Sequence, residues 1–354
     1  MYIIVPCAGR SSRYPNLRPK WMLTQPNGEL MVKEALKGLE IKADQKIILT
    51  ILKEHEAKYG VCKALKESFG KNVDVCILDQ PTNSQPETVY RTILAKRLPG
   101  NSAILVKDSD NFFEIDKLKE KYSYVTISSL NDHSNINPRN KSYVVVNENG
   151  IIREIVEKRV ISDLFSIGGY FFRRCGDFVD AYKALLKTSK GEFYVSDIIG
   201  YLISKGEIFL TKRGAHYIDW GTVKEWNRYK MHQKTFIVDL DGVLVESSAR
   251  HFKPYWGTTK AIENNVSAVN RLKEKGNQII IFTSRTSDYR QITVRQLEKI
   301  GLKYDALIMD ALHNQRILVN DFSRSNPFPS AMAINVERDT DQLCHFLVDM
   351  ELSD

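Results

Sequence analysis

The sequence predicts an α/β protein of two domains, each a sheet covered by helices. Three observations carry this. Strand-like apolar runs alternate with helical patterns almost throughout the 354 residues, as in a mostly parallel sheet with crossover helices. The alternation begins twice, at "YIIVP" from Tyr2 and again at "TFIVDLDG" from Thr235. A chain of this length is also long for one hydrophobic core. The composition, 43% hydrophobic and 27% charged, is that of an ordinary globular protein.

In order, "YIIVP" is a strand and "LMVKEALKGLE" a helix, then "KIILTIL" a strand and "HEAKYGVCKALKESF" one helix. "VDVCIL", "ETVYRTILAKRL" and "SAILVKD" repeat strand, helix, strand. "YVVVNENGIIREIVEK" departs from this, because two strand-like runs flank "NENG", a hairpin signal. "FSIGGYFFRR" is a strand and "DFVDAYKALLK" a helix; "GEIFLTKR" and "HYIDWGT" close the first domain, 1–230. "VKEWNRYKMHQK" is a polar helix leading out of it. The second domain, 231–354, runs "TFIVDLDG" strand, "AIENNVSAVNRLKEKG" helix, "QIIIFTS" strand, "DYRQITVRQLEKIG" helix, and then strands at "YDALIM", "RILVNDF" and "AMAINV". No Pro/Gly/Ser linker, internal repeat or low-complexity segment separates the two.

The net charge of +8 is spread along the chain without a basic block or an aromatic–basic repeat. That suits small phosphorylated substrates better than nucleic acid. No apolar run approaches the length needed to cross a bilayer, and the N-terminus lacks the basic segment of a signal peptide, so no membrane insertion is expected. Cys7, Cys62, Cys76, Cys175 and Cys344 are odd in number and form no C-x-x-C pair, which fits a reducing cytoplasm and argues against structural zinc.

At the second beginning, Asp239 and Asp241 follow an apolar run and stand at a strand's C-terminal end, the edge where open α/β sheets bind ligands. Side chains one residue apart on a strand point to opposite faces, and Gly242 permits the turn that brings the second back. Two such carboxylates can bind Mg²⁺ or divide into nucleophile and acid/base; the bland alternative is a solvated acidic turn. Thr283 ends the next apolar run, and Arg316 precedes Asp321 around a third. In this order the motifs resemble the haloacid dehalogenase (HAD) superfamily of phosphatases, from about Thr235 onward. The resemblance implies that Asp239 attacks phosphorus, Asp241 serves as acid and then base, Thr283 binds phosphoryl oxygens, Arg316 supplies the family's cation, and Asp239, Asp241 (through its carbonyl) and Asp321 hold Mg²⁺. The family usually has Lys at the position of Arg316, and often two acids where Asn320 and Asp321 stand. The stretch between the first two motifs leaves no room for a cap domain. An open site suits a bulky substrate, or one covered by a partner subunit in a homo-oligomer.

At the first beginning, Ala8, Gly9, Ser11 and Ser12 form a small-residue loop after a strand, with Arg13 and Lys20 adding fixed positive charge. Such a loop lets backbone N–H groups approach phosphate. The string resembles the A-G-x-G-x-R…P-K signature of sugar-nucleotide pyrophosphorylase-type nucleotidyltransferases, with Ser11 at the second glycine, and the likeness covers about Met1 to Tyr229. It implies a GT-A-like mixed sheet, nucleobase contacts from Gln80, Gln85 and Thr88, and acceptor contacts from Glu157, Lys158, Gly168 and Gly169. It also implies metal ligation by Asp219 and by Asp110 or Asp108, Asp110 being favoured because the family often follows this ligand with a small polar and then an apolar residue. Arg13 and Lys20 would stabilise leaving pyrophosphate. Tyr194 and Ser196 fall near the acceptor region.

Trp21, Trp220, Trp226 and Trp256 are read as packing residues, and His216 and His251 as surface or hydrogen-bonded ones, since no second His stands at ligand spacing. Together the resemblances imply two Rossmann-like three-layer domains, a mixed nucleotidyltransferase sheet and a smaller capless HAD parallel sheet. The expected substrates are an NTP, CTP favoured, with a phosphorylated sugar or polyol for the first and a phosphomonoester for the second, both with Mg²⁺. The fusion suggests consecutive steps toward an activated precursor, as in capsule or lipopolysaccharide synthesis.

Overall fold

The computed structural model describes the chain except residues 12, 15–16, 134–135, 189–190, 232, 322–330 and 353–354, and describes only the backbone of 231 and 349–352. The chain divides into two compact units, Met1–Trp226 and Asn227–Asp354.

The first unit contains strands β1 (Tyr2–Pro6), β2 (Lys46–Leu52), β3 (Val73–Leu78), β4 (Ile104–Lys107), β5 (Asn111–Glu114), β6 (Ser123–Ser129), β7 (Ser142–Val146), β8 (Ile152–Glu157), β9 (Leu164–Phe172), β10 (Phe209–Arg213) and β11 (Ala215–Asp219). Its helices are α1 (Met31–Lys37), α2 (Lys53–Tyr59), α3 (Val61–Phe69), α4 (Gln85–Ala95), α5 (Cys175–Thr188) and α6 (Val195–Ser204). The main sheet runs β10-β6-β9-β4-β1-β2-β3, with the β7–β8 hairpin joined through β7 to β9. β1, β2, β3 and β4 are parallel, whereas β9 is antiparallel to β4, β6 and β7, so the sheet is mixed. β1 shows why the apolar run reads as a strand. Ile3 and Val5 enter one core with Trp21 and Leu49, while Ile4 enters the opposite core with Val89 and Phe178. A strand buried on both faces cannot alternate with polar residues.

Three elements differ from expectation. The single helix predicted over 55–69 is two, α2 and α3, because Gly60 adopts φ +59 between them and breaks the run. β6 carries Ser and Thr among its apolar residues and is not evident as a strand, although it pairs with both β9 and β10. β5 is four residues long and pairs antiparallel with β11.

Helix α7 (Val223–Met231) leads to the second unit, which holds β12 (Thr235–Val238), α8 (Glu263–Glu274), β13 (Gln278–Phe282), α9 (Arg290–Lys299), β14 (Ala306–Ile308) and α10 (Gln342–Leu352). Its sheet is parallel in the order β12-β13-β14. The strands expected at "RILVNDF" and "AMAINV" do not form over Arg316–Asp321 or 331–336, and Ile317 and Val319 are exposed. Arg316 marks where this segment runs. Its guanidinium pairs with Asp239 at 3.1 Å, beyond the end of β12, and stands 5.0 Å over the Phe282 ring at the end of β13. The segment therefore starts at the sheet's C-terminal edge, whereas a further parallel strand would start at the opposite edge. Among the described residues no helix is long and apolar enough to cross a membrane.

Candidate active site

In the first unit a cavity of about 690 Å³ opens at the C-terminal ends of β1 and β4. Its floor is the loop after β1. Ala8 is fully buried beneath it, and a Cβ added at Gly9 would meet nothing, so the backbone there stays open to a ligand. Ser11 holds φ +48, a conformation that favours glycine, and its hydroxyl accepts from the Lys20 N–H at 3.2 Å. Ser12 lies outside the described residues. Arg13 lines the cavity. Tyr14, unmarked in the sequence reading, closes the loop from beneath: it is buried, and its hydroxyl donates to the carbonyls of Trp220 and, at 3.0 Å, Thr222. Burial, with Asp110 and Asp219 near, drives its pKa upward and keeps it a donor.

Asp108, Ser109 and Asp110 follow β4 and line the cavity. The β5–β11 register sets Asp219 opposite Asn111, and the Trp220 N–H donates to the Asp110 carbonyl at 2.9 Å. The two carboxylates expected to bind metal are thus brought together from positions far apart in sequence. Each meets a lysine: Lys20 pairs with Asp110, and Lys141, which the sequence reading did not single out, pairs with Asp219. Burial pushes the Asp110 carboxyl up, but Lys20, Arg13 and Lys107 together hold it below the usual range. Asp108 goes the other way, raised by burial and by the neighbouring Asp110, and accepts from Gln85 Nε2 at 2.5 Å. Beneath them Lys107 is fully buried, donating to the carbonyls of Asp108 and Asn111, each at 2.9 Å, and to Asn111 Oδ1 at 2.5 Å. Burial lowers its pKa to about 7, against three acceptors that suit an ammonium. Its role depends on burial, which spacing does not reveal.

The described residues contain no group of three or more His, Cys, Asp or Glu side chains that could hold a metal ion. Mg²⁺ is commonly held by one or two carboxylates with substrate phosphates completing its shell. Asp110 and Asp219 meet that requirement, both lining the cavity.

Gln85, at the start of α4, and Thr88 both line the cavity, and the Thr88 hydroxyl is shared with that of Thr82 at 2.6 Å. Gln80, two residues past the end of β3, is exposed and not among the lining residues. At the far end, Glu157 is fixed by the hydroxyls of Ser142 and, at 3.0 Å, Ser196. Lys158, at φ +57, donates to the Tyr194 hydroxyl at 2.6 Å and lies 4.3 Å over that ring. Gly168, at φ +85, lines the cavity, and a Cβ there would strike Asn111 and Asp108. Gly169, also expected at the acceptor, is one strand step on, and a Cβ there would come within 2.6 Å of Thr126 Oγ1 and 2.8 Å of Phe113. All four tryptophans are buried, His216 is largely exposed and His251 exposed.

In the second unit Asp239 follows β12 and pairs with Arg316. Asp241 is held at both carboxylate oxygens. Arg285, fully buried, grips it with two hydrogen bonds of 2.8 Å, Ser248 adds one of 2.6 Å, and Gln296 holds the guanidinium at 2.8 Å. Thr283 is also buried, its hydroxyl accepting from the Arg285 N–H at 3.2 Å. Asp321 is exposed and does not end a strand, contrary to the expected third strand end. Arg285, two residues past the expected hydroxyl, was missed because nothing in its spacing marks it as buried.

The first unit's sheet belongs to a known class of mixed α/β folds. The chain is similar to a nucleoside-diphosphate-sugar pyrophosphorylase from Vibrio cholerae RC9, at 22% identity and a TM-score of 0.55 over 64% of this chain and 98% of that one. It is also similar to a candidate glucose-1-phosphate thymidylyltransferase from Bacillus anthracis solved with a sucrose, at 21% identity and a TM-score of 0.50 over 65% and 93%. At these identities the likeness is one of fold. Residues 254–326 match the model of a family described as a protein of unknown function, DUF2608. No curated protein matches the chain.

Proposed function

We propose that the first unit transfers a nucleotidyl group from a nucleoside triphosphate to a phosphorylated sugar, polyol or similar small alcohol. One observation carries this: a single polar cavity is lined by the small-residue loop with Arg13 and Lys20, by Asp110 and Asp219, and by the Glu157–Lys158 corner. Its volume suits a nucleotide with a small acceptor. An acceptor phosphate oxygen attacks the α-phosphorus, the bond to the bridging oxygen breaks, and pyrophosphate leaves with the electron pair. No protein nucleophile is needed, so the residues orient and neutralise. Arg13 and Lys20 face the leaving pyrophosphate. Glu157, fixed by two serines, accepts from acceptor hydroxyls. Mg²⁺ held by Asp110 and Asp219 would supply neutralisation of the triphosphate.

CTP is the proposed nucleotide, on the resemblance of the "PKWML" segment to members tied to capsule synthesis. Pyrophosphate release should be measured for the four NTPs against a panel of sugar and polyol phosphates, with and without EDTA. Release that requires metal is expected, fastest with CTP. Another preferred base would overturn the CTP assignment alone, and no release with any pair would overturn nucleotidyl transfer.

A second reading concerns the second unit, supported by an Asp at the C-terminal end of a parallel strand with a guanidinium 3.1 Å away. We propose phosphomonoester hydrolysis there. Asp239 attacks phosphorus, the P–O bond to the alcohol breaks as Asp241 gives that oxygen a proton, and Asp241 then takes a proton from the water that cleaves the aspartyl-phosphate. Arg285 and Ser248 fix the position of the Asp241 carboxyl for both proton transfers. Metal-dependent phosphate release from a generic aryl phosphate is the expected result, and its absence across a range of phosphomonoesters would overturn this reading.

A further inference from the structure

We propose that Lys141 is a further catalytic residue of the first unit, the cation that takes the acceptor's phosphate once a metal ion occupies Asp219. This rests on the nucleotidyl-transfer reading. Lys141 begins the turn into β7 and lines the cavity beside Asn140 and Ser142. Its side chain is only 10% exposed; the ammonium pairs with Asp219 and donates to the Tyr217 hydroxyl at 2.7 Å. Its carbonyl accepts from the Lys158 N–H at 2.8 Å. The residue is therefore joined through its side chain to the metal-binding carboxylate and through its main chain to the acceptor corner.

The two lysine–carboxylate pairs, Lys20 with Asp110 and Lys141 with Asp219, balance charge at the site. A divalent cation held by these carboxylates would compete with both ammonium groups. Asp219 would keep its place, because Gly221 N–H still donates to it at 2.9 Å, whereas Lys141 would be released toward the cavity it lines. Lys20 is on the loop side, next to the triphosphate. Lys141 is on the side of Glu157 and Lys158, where an acceptor phosphate must approach an already anionic α-phosphate. Without a cation there, two anions would meet in a partly desolvated site.

The test uses the intact protein with Mn²⁺ alone, and then pyrophosphate and inorganic phosphate with saturating Mg²⁺, the phosphate being titrated after pyrophosphate is bound. Lys141→Met should bind Mn²⁺ at least threefold tighter, because the competing ammonium is gone. It should bind phosphate at least tenfold more weakly and pyrophosphate within twofold of wild type. Lys20→Met should show the reverse pattern for the two anions, and Lys141→Arg should recover most of the phosphate affinity. Phosphate affinity unchanged in Lys141→Met, or both anions weakened alike, would overturn the proposal. If that variant does not melt cooperatively, the uncharged polar Lys141→Gln is read by the same criteria. Wild-type protein that binds neither anion with Mg²⁺ would overturn the nucleotidyl-transfer reading itself.

Discussion

Lys20 matters through its partner. The Asp110 carboxyl sits below its ordinary range only because Lys20 and its cationic neighbours outweigh burial. A carboxyl lowered on folding stabilises the native state at neutral pH, and that contribution is lost as pH falls toward the folded value. Lys20→Ala should therefore be less stable than wild type at pH 7, with the gap closing toward pH 3 in denaturant titrations. Its kcat for pyrophosphate release should fall by roughly a hundredfold or more, as for other contacts that strengthen in the transition state; an unchanged kcat would remove Lys20 from the site. Arg285 offers the parallel case in the second unit. It is buried and holds Asp241 at both oxygens, so Arg285→Met leaves a half-buried carboxylate without its partner. A loss of about 3 kcal/mol in unfolding free energy is expected, and Arg285→Lys should recover little of it because an ammonium cannot reproduce the two-pronged grip. Recovery by lysine would show that charge alone matters there.

At the scale of elements, legibility followed burial. β1 and β9 are covered on both faces and read directly as apolar runs, and the turn between β7 and β8 was announced by "NENG", with Gly150 at φ +71 and the Asn147 side chain accepting from Ile151 N–H at 2.9 Å. What stayed hidden depends on partners distant in the chain. Lys20 and Asp110 are 90 residues apart, and Lys141 and Asp219 78, so no local spacing connects them. The run at "RILVNDF" misled for the complementary reason: strand propensity is weak beside tertiary context, and the segment starts at the sheet's C-terminal edge, where Arg316 meets Asp239. Gly60 shows how one residue decides an element. It is exposed, a Cβ would meet no neighbour, and only its φ of +59 resists substitution. Gly60→Ala should cost about 1 kcal/mol in urea unfolding, and Gly60→Asn, which tolerates that conformation, less. An alanine variant as stable as wild type would mean that α2 and α3 can merge.

For the whole molecule, the two proposed chemistries stand on separate sheets, β1 to β4 in one and β12 to β14 in the other. Asp239→Asn should then abolish phosphate release while pyrophosphate release continues, and Lys20→Ala should do the opposite. Phosphate released at the wild-type rate by the first variant would exclude Asp239 as nucleophile. If both activities serve one pathway, chemistry limits their order. Nucleotidyl transfer needs a phosphate on the acceptor, because that phosphate supplies the attacking oxygen. A phosphatase that hydrolysed the same monophosphate would remove the nucleophile before it could react. The second unit should therefore act on another phosphate, either one group of a bisphosphate or a phosphate on a different intermediate, and should spare the monophosphate that the first unit uses. Incubating the intact protein with that acceptor and Mg²⁺, without NTP, measures this directly. The expected result is inorganic phosphate release no faster than from Asp239→Asn. Rapid release would mean that the second unit drains the first unit's substrate, and the two activities would then oppose one another instead of acting in sequence.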